Sequence, residues 1–386
     1  MMHSALNKDW VEAPNNQRIL SLDLGRGIAV LIMIMVHTLW MYGDIETQQS
    51  SAIGLVLHFL GKGTAAFLVL MGFSLALSRH HRGRDWVGRG VKLLLLGLAL
   101  NSLKFVVPIA VFNTMPQEFI AAYGWQTPLT WSQWRYLLAT GDILYLAGIT
   151  LLMMGIFQRI LESRWVVAGL FLLIVASCGV LRGFTWSSDY LNYISQLLFS
   201  DSYQVYFPVF PWASAILSGW FFGLCYIRWQ GNIAQTFQRM ALTGILMLSV
   251  GGALMAYDFS YHFNNFFHLG PGGILYLIGL NFIALWGLQC IAPQLAGSQL
   301  ARGLIWASRR VTSLYVLQWT LICWGMGVVG FQTLAPTELV LAIVVMLLLT
   351  VVSHWLLEQC LALRHTKPAS GNQTKPQSGT IAKKAI

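Results

Sequence analysis

A histidine lies deep within the first apolar stretch of the sequence, where an ionisable side chain is costly. Residues 18–37 read RILSLDLGRGIAVLIMIMVH, and a helix that enters a membrane at Ile28 carries His37 about 13 Å inward, near the midplane. Histidines at that depth usually face the bundle interior and take part in function, so we favour a functional role over simple packing. A neutral imidazole can act there as a general base or as a nucleophile.

A few further strongly polar side chains share the apolar segments with His37: His58, Lys62, Asn101, Asn281 and Gln318. His58 and Lys62 are four residues apart and therefore lie on one face of a helix. Because a lysine at this depth needs a partner for its charge, Lys62 is a candidate for the reaction site. Gln318, a strongly polar side chain within an apolar segment, is a second candidate. His58 lies nearer the outer surface, where a packed histidine is the better interpretation. Lys104 lies near the end of its segment, from which its ammonium group can snorkel to the interface.

The densest positive cluster follows the second apolar segment and reads RHHRGRDWVGRGVK over residues 79–92. On charge alone, the favoured interpretation is an anchor that binds anionic lipid head groups and fixes topology. The alternative is a cradle for a phosphorylated cytosolic ligand, because guanidinium groups form paired hydrogen bonds with phosphate oxygens. The sequence contains no Walker-type or G-x-G-x-x-G phosphate loop that would decide between the two.

Composition indicates that these residues are positioned by an integral membrane protein. Of the 386 residues, 56% are hydrophobic and only 10% are charged, and the mean hydropathy is +0.62. We predict an all-α, polytopic membrane bundle of about ten transmembrane helices, because ten segments are long and apolar enough to span a bilayer. These segments are 24–43, 52–78, 91–112, 141–158, 165–183, 208–227, 240–257, 272–291, 311–331 and 337–361.

The basic residues predict the orientation of these helices. With a cytoplasmic N-terminus, ten helices return the C-terminus to the cytoplasm, and most lysines and arginines then lie in cytoplasmic segments. The exceptions are Lys62, Lys104, Arg135 and Arg182. This distribution accounts for most of the net charge of +10, which we therefore do not attribute to nucleic-acid binding. The predicted parts are a cytoplasmic arm over 1–23, a membrane domain over 24–362 and a disordered cytoplasmic tail over 363–386.

The longest breaks between the apolar segments, 113–140 and 184–207, are short and rich in aromatic residues. An aromatic belt at the membrane surface is the favoured explanation, and a platform that stacks on a sugar is the alternative. Asp142 stands at the start of the fourth segment, where it can cap the helix N-terminus. Near the inner end of the last segment, His354 and Glu358 have the spacing of a local pair.

Four stretches of the sequence resemble one family of multi-pass membrane acyltransferases. They are SLDLGRG at 21–27 with His37, GKGTAAFLVLMGFSLALS in the second segment, FPVFPWASAILSGWFFG in the sixth and TSLYVLQ in the ninth. In these stretches the chain is similar to the heparan-alpha-glucosaminide N-acetyltransferase catalytic-domain family and its bacterial relatives. The resemblance implies about ten or eleven spans, acetyl-CoA that enters from the cytoplasm, and acetyl transfer to a sugar on the far side.

The resemblance also implies roles for individual residues. His37 would be the catalytic base or the acetyl acceptor. Independently of the resemblance, Lys62 or Gln318 could polarise the thioester carbonyl. Residues that would contact the donor are Arg26, at the inner end of the site, and Arg79, Arg82 and Arg84, at the nucleotide phosphates. Relatives often have a histidine at the position of Gln318. We expect no metal, because no second histidine or carboxylate stands at ligand spacing in the segment of His37.

Two classes of function follow from these observations. The first is an inner-membrane acetyltransferase that uses acetyl-CoA as donor and an extracytoplasmic glycan or its lipid-linked precursor as acceptor. The lipid bilayer and a second copy of the chain are further candidate partners. The second is a transporter or permease in which His37, His58 and Lys62 form a proton or anion relay. A purely structural membrane protein is a third and weaker option. Acetyl transfer by the purified protein separates the first class from the other two.

Overall fold

The computed structural model describes residues 19–78, 83–263 and 265–365 of the chain. Within these ranges every regular element is a helix, and nine helices are long and apolar enough to cross a membrane. The predicted all-α, polytopic membrane bundle is therefore confirmed. The nine long helices and one shorter apolar helix are α1 (Leu20–Tyr42), α2 (Ala52–Ala76), α3 (Gly83–Val111), α4 (Ile143–Ile156), α5 (Arg164–Leu181), α6 (Val209–Arg228), α7 (Ile233–Tyr257), α8 (Pro271–Leu295), α9 (Val311–Val329) and α10 (Pro336–His365).

Short helices occupy the connections between the long ones. They are Ile45–Ser50, Gln117–Ala121, Trp131–Leu138, Gln158–Leu161, Asp189–Phe199, Phe259–Phe263 and Gln299–Ser308. Polar caps fix where several of them begin, because a side-chain oxygen can satisfy an otherwise unpaired N–H of the first turn. Asp44 accepts a hydrogen bond from the Thr47 N–H at 2.6 Å, and Ser298 accepts one from the Ala301 N–H at 3.0 Å.

The fourth predicted span, 141–158, forms the shorter helix α4. Its 14 residues extend about 21 Å, less than the roughly 30 Å of a hydrocarbon core. The helix begins where Asp142 accepts a hydrogen bond from the Leu144 N–H at 2.9 Å, which confirms the predicted cap. Asp142 is buried, so α4 begins inside the bundle rather than at its surface. This start places the first turn of α4 among the other helices.

Helix α2 is interrupted at Lys62, between the segments Ala52–Gly61 and Thr64–Ala76. A break at membrane depth frees backbone groups that no water can satisfy, so it persists only where other protein groups replace the missing hydrogen bonds. Asn281 of α8 provides one such bond, because its Nδ2 donates to the Lys62 carbonyl at 2.9 Å. The buried Asn281, which the sequence marked as an unusual polar residue, thus stabilises the break in α2.

Glycines allow the closest helix contacts around α1 and α2. A Cβ atom at Gly27 would overlap the backbone of Leu304, so glycine is required where α1 crosses the short helix that contains Leu304. The same applies at Gly72 of α2, which meets the backbone of α6, and at Gly219 of α6, which meets the backbone of α2. Helix α1 also packs against α2, α8, α9 and α10. These contacts hold α1, and with it His37, among five neighbouring elements.

The second half of α3, Ser102–Val111, is a π-helix. It carries Lys104, which is only 5% exposed, so the expectation that this lysine snorkels to the interface is wrong. Its Nζ lies 4.9 Å from the ring centre of Phe105 and 4.9 Å from that of Trp319. Aromatic faces attract a cation, and here they take the place of interfacial water. The consequence is a buried positive charge inside the bundle.

The predicted terminal parts fall mostly outside the described residues. Helix α1 begins at Leu20, within the predicted arm 1–23, and α10 extends to His365. Most of the predicted tail 363–386 lies beyond that helix. The boundaries of the arm and of the tail therefore stay predictions.

Candidate functional site

The His37 ring is held by contacts from two helices. Gln318 of α9 places its Nε2 3.1 Å from His37 Nδ1, and the neighbouring Trp319 stacks on the imidazole with ring centres 4.0 Å apart and planes at 28°. Trp40, one turn further along α1, lies 5.6 Å away, and Tyr315 approaches edge-on at 6.3 Å. Two of the residues predicted for the site, His37 and Gln318, are therefore in direct contact.

The Gln318 carboxamide determines which nitrogen of His37 is free. Gln318 is fully buried, and its Oε1 has no hydrogen-bond partner among the described residues. When Nε2 donates to His37 Nδ1, the proton of the neutral imidazole lies on its other nitrogen. When the amide presents its oxygen instead, Nδ1 carries the proton, and the remaining nitrogen is a free base. One amide can therefore hold the imidazole in either tautomer.

Trp319 links His37 to the buried charge of Lys104. The indole stacks on His37 and also lies 4.9 Å from Lys104 Nζ. The sequence analysis treated Lys104 as an interfacial residue, because its position near a segment end gave no sign of the π-helix that turns it inward. Trp319 follows Gln318 directly, but a tryptophan in an apolar helix is common and carries no signal by itself. Both residues belong to the site that the structure defines.

Tyr315 and Asp142 form a second buried pair beside His37. The Tyr315 hydroxyl donates to Asp142 Oδ2 at 3.0 Å, and both side chains are buried. Asp142 also caps α4 with its other oxygen, so a single carboxylate joins α4 to α9. The sequence pointed to the capping role of Asp142 but not to its contact with Tyr315, which is set by tertiary packing.

A cavity of about 860 Å³ lies at the end of the bundle where α1 begins. Among the described residues, four arginines line it: Arg26, Arg89, Arg309 and Arg310. The remainder of the lining is mainly apolar and includes Met71, Leu93 and Leu144. We call this space the arginine cavity. Its cationic rim and apolar interior suit an elongated ligand with an anionic head and a less polar arm.

A smaller cavity of about 50 Å³ surrounds His37 and is called the histidine cavity. Trp40, Thr64 and Phe207 contribute to its walls. Four residues line both cavities: Met33, Phe67, Ile143 and Tyr315. Since the two cavities share these side chains, they adjoin, and His37 lies just beyond the apolar end of the arginine cavity.

The arginines predicted to bind the donor are only partly gathered at this cavity. Arg26 lines it and is held by Asp23, whose Oδ1 lies 2.6 Å from Arg26 Nη2. Arg84 is exposed and is not among the lining residues, whereas Arg79 and Arg82 lie outside the described residues. The remaining arginines of the lining come from α3 and from the two residues that precede α9, and in the sequence they were only part of the charge excess predicted to be cytoplasmic.

One of these arginines completes the pair that the sequence predicted in α10. His354 Nε2 lies 3.3 Å from Glu358 Oε1, as the spacing indicated. Arg310 Nη2 approaches the same oxygen at 2.7 Å. Glu358 thus fixes Arg310 at the edge of the arginine cavity, while Arg309 beside it is exposed and has no carboxylate within ion-pair distance in the described part of the chain.

Lys62 and His58 take positions different from that of Gln318. The Lys62 ammonium lies 5.6 to 5.8 Å from the ring centres of Phe59, Phe263 and Tyr276, and Lys62 lines neither the arginine cavity nor the histidine cavity. His58 accepts a hydrogen bond from the Trp40 Nε1–H at 3.2 Å. The His58 side chain thus supports the wall of the histidine cavity, while the Lys62 side chain faces another part of the bundle.

The described residues contain no group of three or more His, Cys, Asp or Glu side chains that could together hold a metal ion. The polar groups nearest His37 are instead an amide, an indole, a phenol and an ammonium group. These groups can orient an imidazole and favour negative charge near it. The arrangement is suited to proton transfer at His37.

The bundle and its half-buried histidine define a multi-pass membrane protein with a histidine-centred site that adjoins an arginine-lined cavity. Residues 18–262 match the family described as heparan-alpha-glucosaminide N-acetyltransferase, catalytic. Because the match covers more than half of the chain, the protein belongs to this family, and the resemblance noted in the sequence is confirmed. The family implies an acetyltransferase. No curated protein matches the chain significantly.

The matched range contains His37 and the arginines of α1 and α3 but ends before α9. Gln318, Trp319 and Tyr315, three of the groups around His37, are therefore contributed by a part of the chain outside the match. The structure, rather than the family match, connects these residues with the site.

Proposed function

We propose that the protein transfers an acetyl group from acetyl-CoA, bound from the cytoplasm, to a sugar or glycan on the opposite side of the inner membrane. The observation that carries the proposal is the adjacency of the arginine cavity and the histidine cavity, which joins a cationic mouth to a half-buried base. The excess of basic residues at the arginine end supports a cytoplasmic location for that end and for both termini.

The arginine cavity fits the chemistry of a coenzyme A thioester. Its phosphates require bidentate cationic partners, which Arg89 and Arg309 can supply while Arg26 and Arg310 are held by carboxylates. The long uncharged arm then follows the apolar lining towards Ile143 and Tyr315. On this path the thioester reaches the boundary with the histidine cavity, where the His37 imidazole can act as the general base.

The acceptor approaches His37 from the other side. Trp40 and Phe207 line the histidine cavity there, and aromatic rings are suitable surfaces for the apolar face of a sugar. The supply of donor and acceptor from opposite ends lets one buried site act across the membrane. It also keeps bulk water away from the thioester, which limits hydrolysis.

In the proposed reaction, the acceptor hydroxyl or amine attacks the thioester carbonyl carbon while its proton passes to the free ring nitrogen of His37. The new C–O or C–N bond forms, the C–S bond breaks, and the leaving thiolate takes the proton from the imidazolium. The products are the acetylated acceptor and free coenzyme A, and His37 returns to its neutral form. For this step Gln318 presents its Oε1 to the Nδ1–H of His37, which is the amide orientation that leaves the other ring nitrogen unprotonated.

Labelled acetyl-CoA tests this function in protein reconstituted into vesicles with glucosamine as acceptor. We expect label to appear in the sugar with wild type, and about tenfold less at low donor concentration with either Arg89→Ala or Arg309→Ala. Arg302→Ala, at the same end but outside the cavity, is expected to keep wild-type transfer. Label that stays on the protein when glucosamine is omitted identifies an acetyl-histidine route. Uptake of a solute without any binding of acetyl-CoA would instead establish the transporter hypothesis.

A further inference from the structure

A third cavity, of about 360 Å³, lies on the side of the bundle between α1, α2 and α8. We call it the lateral groove. Its lining consists of glycine and apolar residues, with two exceptions, Lys62 and Asn281. On α8 the lining extends from Leu280 to Ile291, a length of about 16 Å. The groove is therefore an elongated apolar surface with a single charged group.

The lateral groove faces the lipid. Phe59 and Ile291, which both line it, are 54% and 46% exposed although each lies within a candidate membrane span. Exposed apolar side chains on a membrane helix contact the hydrocarbon of the bilayer rather than water. A molecule that enters the groove therefore comes from the bilayer and carries a hydrocarbon chain.

Lys62 gives the lateral groove a charge that the protein does not neutralise. Among the described residues, no carboxylate lies within ion-pair distance of its Nζ. The ammonium lies beside three aromatic rings, and the hydrogen bond from Asn281 goes to the backbone carbonyl of Lys62, not to its side chain. A lysine at membrane depth usually has an anionic partner, so the partner is expected from a ligand.

The lateral groove and the histidine cavity are neighbours. Ala29, Ile32 and Gly63 line both of them. They meet at the interruption of α2, where Lys62 faces the groove and the adjoining Gly61 and Gly63 face the histidine cavity. The break therefore places Lys62, the one charged side chain that the described residues contribute to the groove, next to a residue that lines the chamber of His37.

We propose that the lateral groove binds a lipid-linked form of the acceptor, with its hydrocarbon chain along α1 and α8 and its anionic linkage group at Lys62. This proposal rests on the function proposed above, because it places the reacting hydroxyl or amine of that lipid's sugar at the histidine cavity. It gives the acceptor a chemical class: a sugar joined through a phosphate to a long hydrocarbon chain. It also gives Lys62 a role in binding the acceptor rather than in polarising the thioester.

The proposal is tested with farnesyl phosphate as a probe, with farnesol and inorganic phosphate as matched controls. Binding to the purified full-length protein in nanodiscs is measured by thermal stabilisation. We expect farnesyl phosphate to bind wild type and Lys62→Arg, and to bind Lys62→Met about tenfold more weakly. Farnesol binding is expected to be equally weak in all three proteins, and inorganic phosphate is expected not to bind. Lys92→Met, which removes an exposed lysine of α3, is expected to behave as wild type.

A second pair of variants tests the location of the hydrocarbon chain. Ala284 lines the lateral groove on α8, so Ala284→Trp is expected to abolish binding of farnesyl phosphate, whereas Ala253→Trp on the exposed surface of α7 leaves it intact. Equal binding of farnesyl phosphate and farnesol, or equal binding by wild type and Lys62→Met, would overturn the proposal and indicate a surface for ordinary membrane lipid.

Transfer to soluble glucosamine separates this proposal from the proposed function. If Lys62→Met transfers acetyl to glucosamine as wild type does but has lost affinity for farnesyl phosphate, both proposals are supported. If wild type transfers acetyl and does not bind farnesyl phosphate, the lateral-groove proposal alone is overturned. If wild type binds farnesyl phosphate and transfers nothing to any sugar, the proposed function is overturned, and with it the assignment of the lipid as acceptor.

Discussion

Gln318 and His37 are in contact at 3.1 Å although 281 residues separate them in the chain. The contact joins the first and ninth helices and sets the orientation of a histidine within the bundle. We expect Gln318→Leu to lower kcat about 10- to 100-fold, because His37 Nδ1 loses its hydrogen-bond partner, at a cost of about 1–3 kcal/mol. The KM for acetyl-CoA is expected to stay near that of wild type, because Gln318 does not line the arginine cavity.

Steady-state kinetics on purified protein measures both constants of Gln318→Leu. Gln318→His is the informative companion, because a second imidazole can replace the hydrogen bond to His37. We expect this variant to retain more activity than Gln318→Leu. Equal kcat values for wild type and Gln318→Leu would show that the contact does not orient His37 during the reaction.

Arg89 and Arg309 are expected to act on donor binding alone. Replacement of either by alanine should raise the KM for acetyl-CoA about tenfold and leave kcat nearly unchanged, because a phosphate contact is made equally in the ground state and the transition state. Arg302→Ala is the matched control, since its guanidinium lies at the same end of the bundle outside the cavity. A fall in kcat without a change in KM would argue against phosphate binding at this rim.

Tyr315→Phe removes the only side-chain donor bonded to Asp142 Oδ2 among the described residues. Since Asp142 is buried, we expect a loss of about 1–3 kcal/mol of stability, visible as a lower Tm in detergent. Tyr257→Phe, which changes a hydroxyl on an 89% exposed side chain, should leave the Tm unchanged. Identical Tm values for the two variants would mean that the Tyr315 hydroxyl adds nothing to stability.

The loop before α8 is expected to lose stability in acid. Burial lowers the pKa of His268 below its ordinary value of 6.5, and burial likewise lowers the pKa of His262. His268 Nε2 is bonded to the Val205 carbonyl at 2.9 Å, and its Nδ1 has no partner within the described ranges, so a second proton there finds no acceptor. Because the unfolded chain binds protons more readily, stability is fully present above about pH 6.5 and falls as the pH drops below it.

The measurement is Tm against pH for wild type and His268→Gln, whose amide can still donate to the Val205 carbonyl. We expect the two curves to agree near pH 7.5 and the wild-type curve to fall more steeply towards pH 5. Parallel curves over the whole range would show that His268 does not contribute to acid sensitivity.

Much of the fold could be predicted from the sequence, because length and hydropathy determine which segments can span a bilayer. The exceptions are local and have physical reasons. Helix α4 is short because Asp142 caps it inside the bundle, and Lys104 is buried because a π-helix and two aromatic rings replace the interface. A hydropathy profile shows neither where a side chain caps a helix inside the bundle nor which aromatic rings surround a lysine.

The candidate site could be predicted in part. The depth of His37 and the rarity of Gln318 in an apolar helix identified two residues that prove to be in contact. The arginine cavity could not be assembled in the same way, since Arg89 and Arg309 come from segments that are distant in sequence and resemble any other basic residue between apolar segments. The Lys62 side chain faces the lateral groove and not the histidine cavity, and this orientation depends on the break in α2. Asn281 of α8 stabilises that break through its hydrogen bond to the Lys62 carbonyl.

The most direct test of the central claim is single-turnover acetyl transfer to glucosamine by wild type, His37→Ala and the control His262→Asn. A general base contributes about 10²- to 10⁴-fold, so His37→Ala is predicted to lose that factor in rate while its affinity for acetyl-CoA stays within about twofold of wild type. His262→Asn, altered in the loop before α8 and outside both cavities, is predicted to retain the wild-type rate. Transfer by His37→Ala at the wild-type rate would contradict the account.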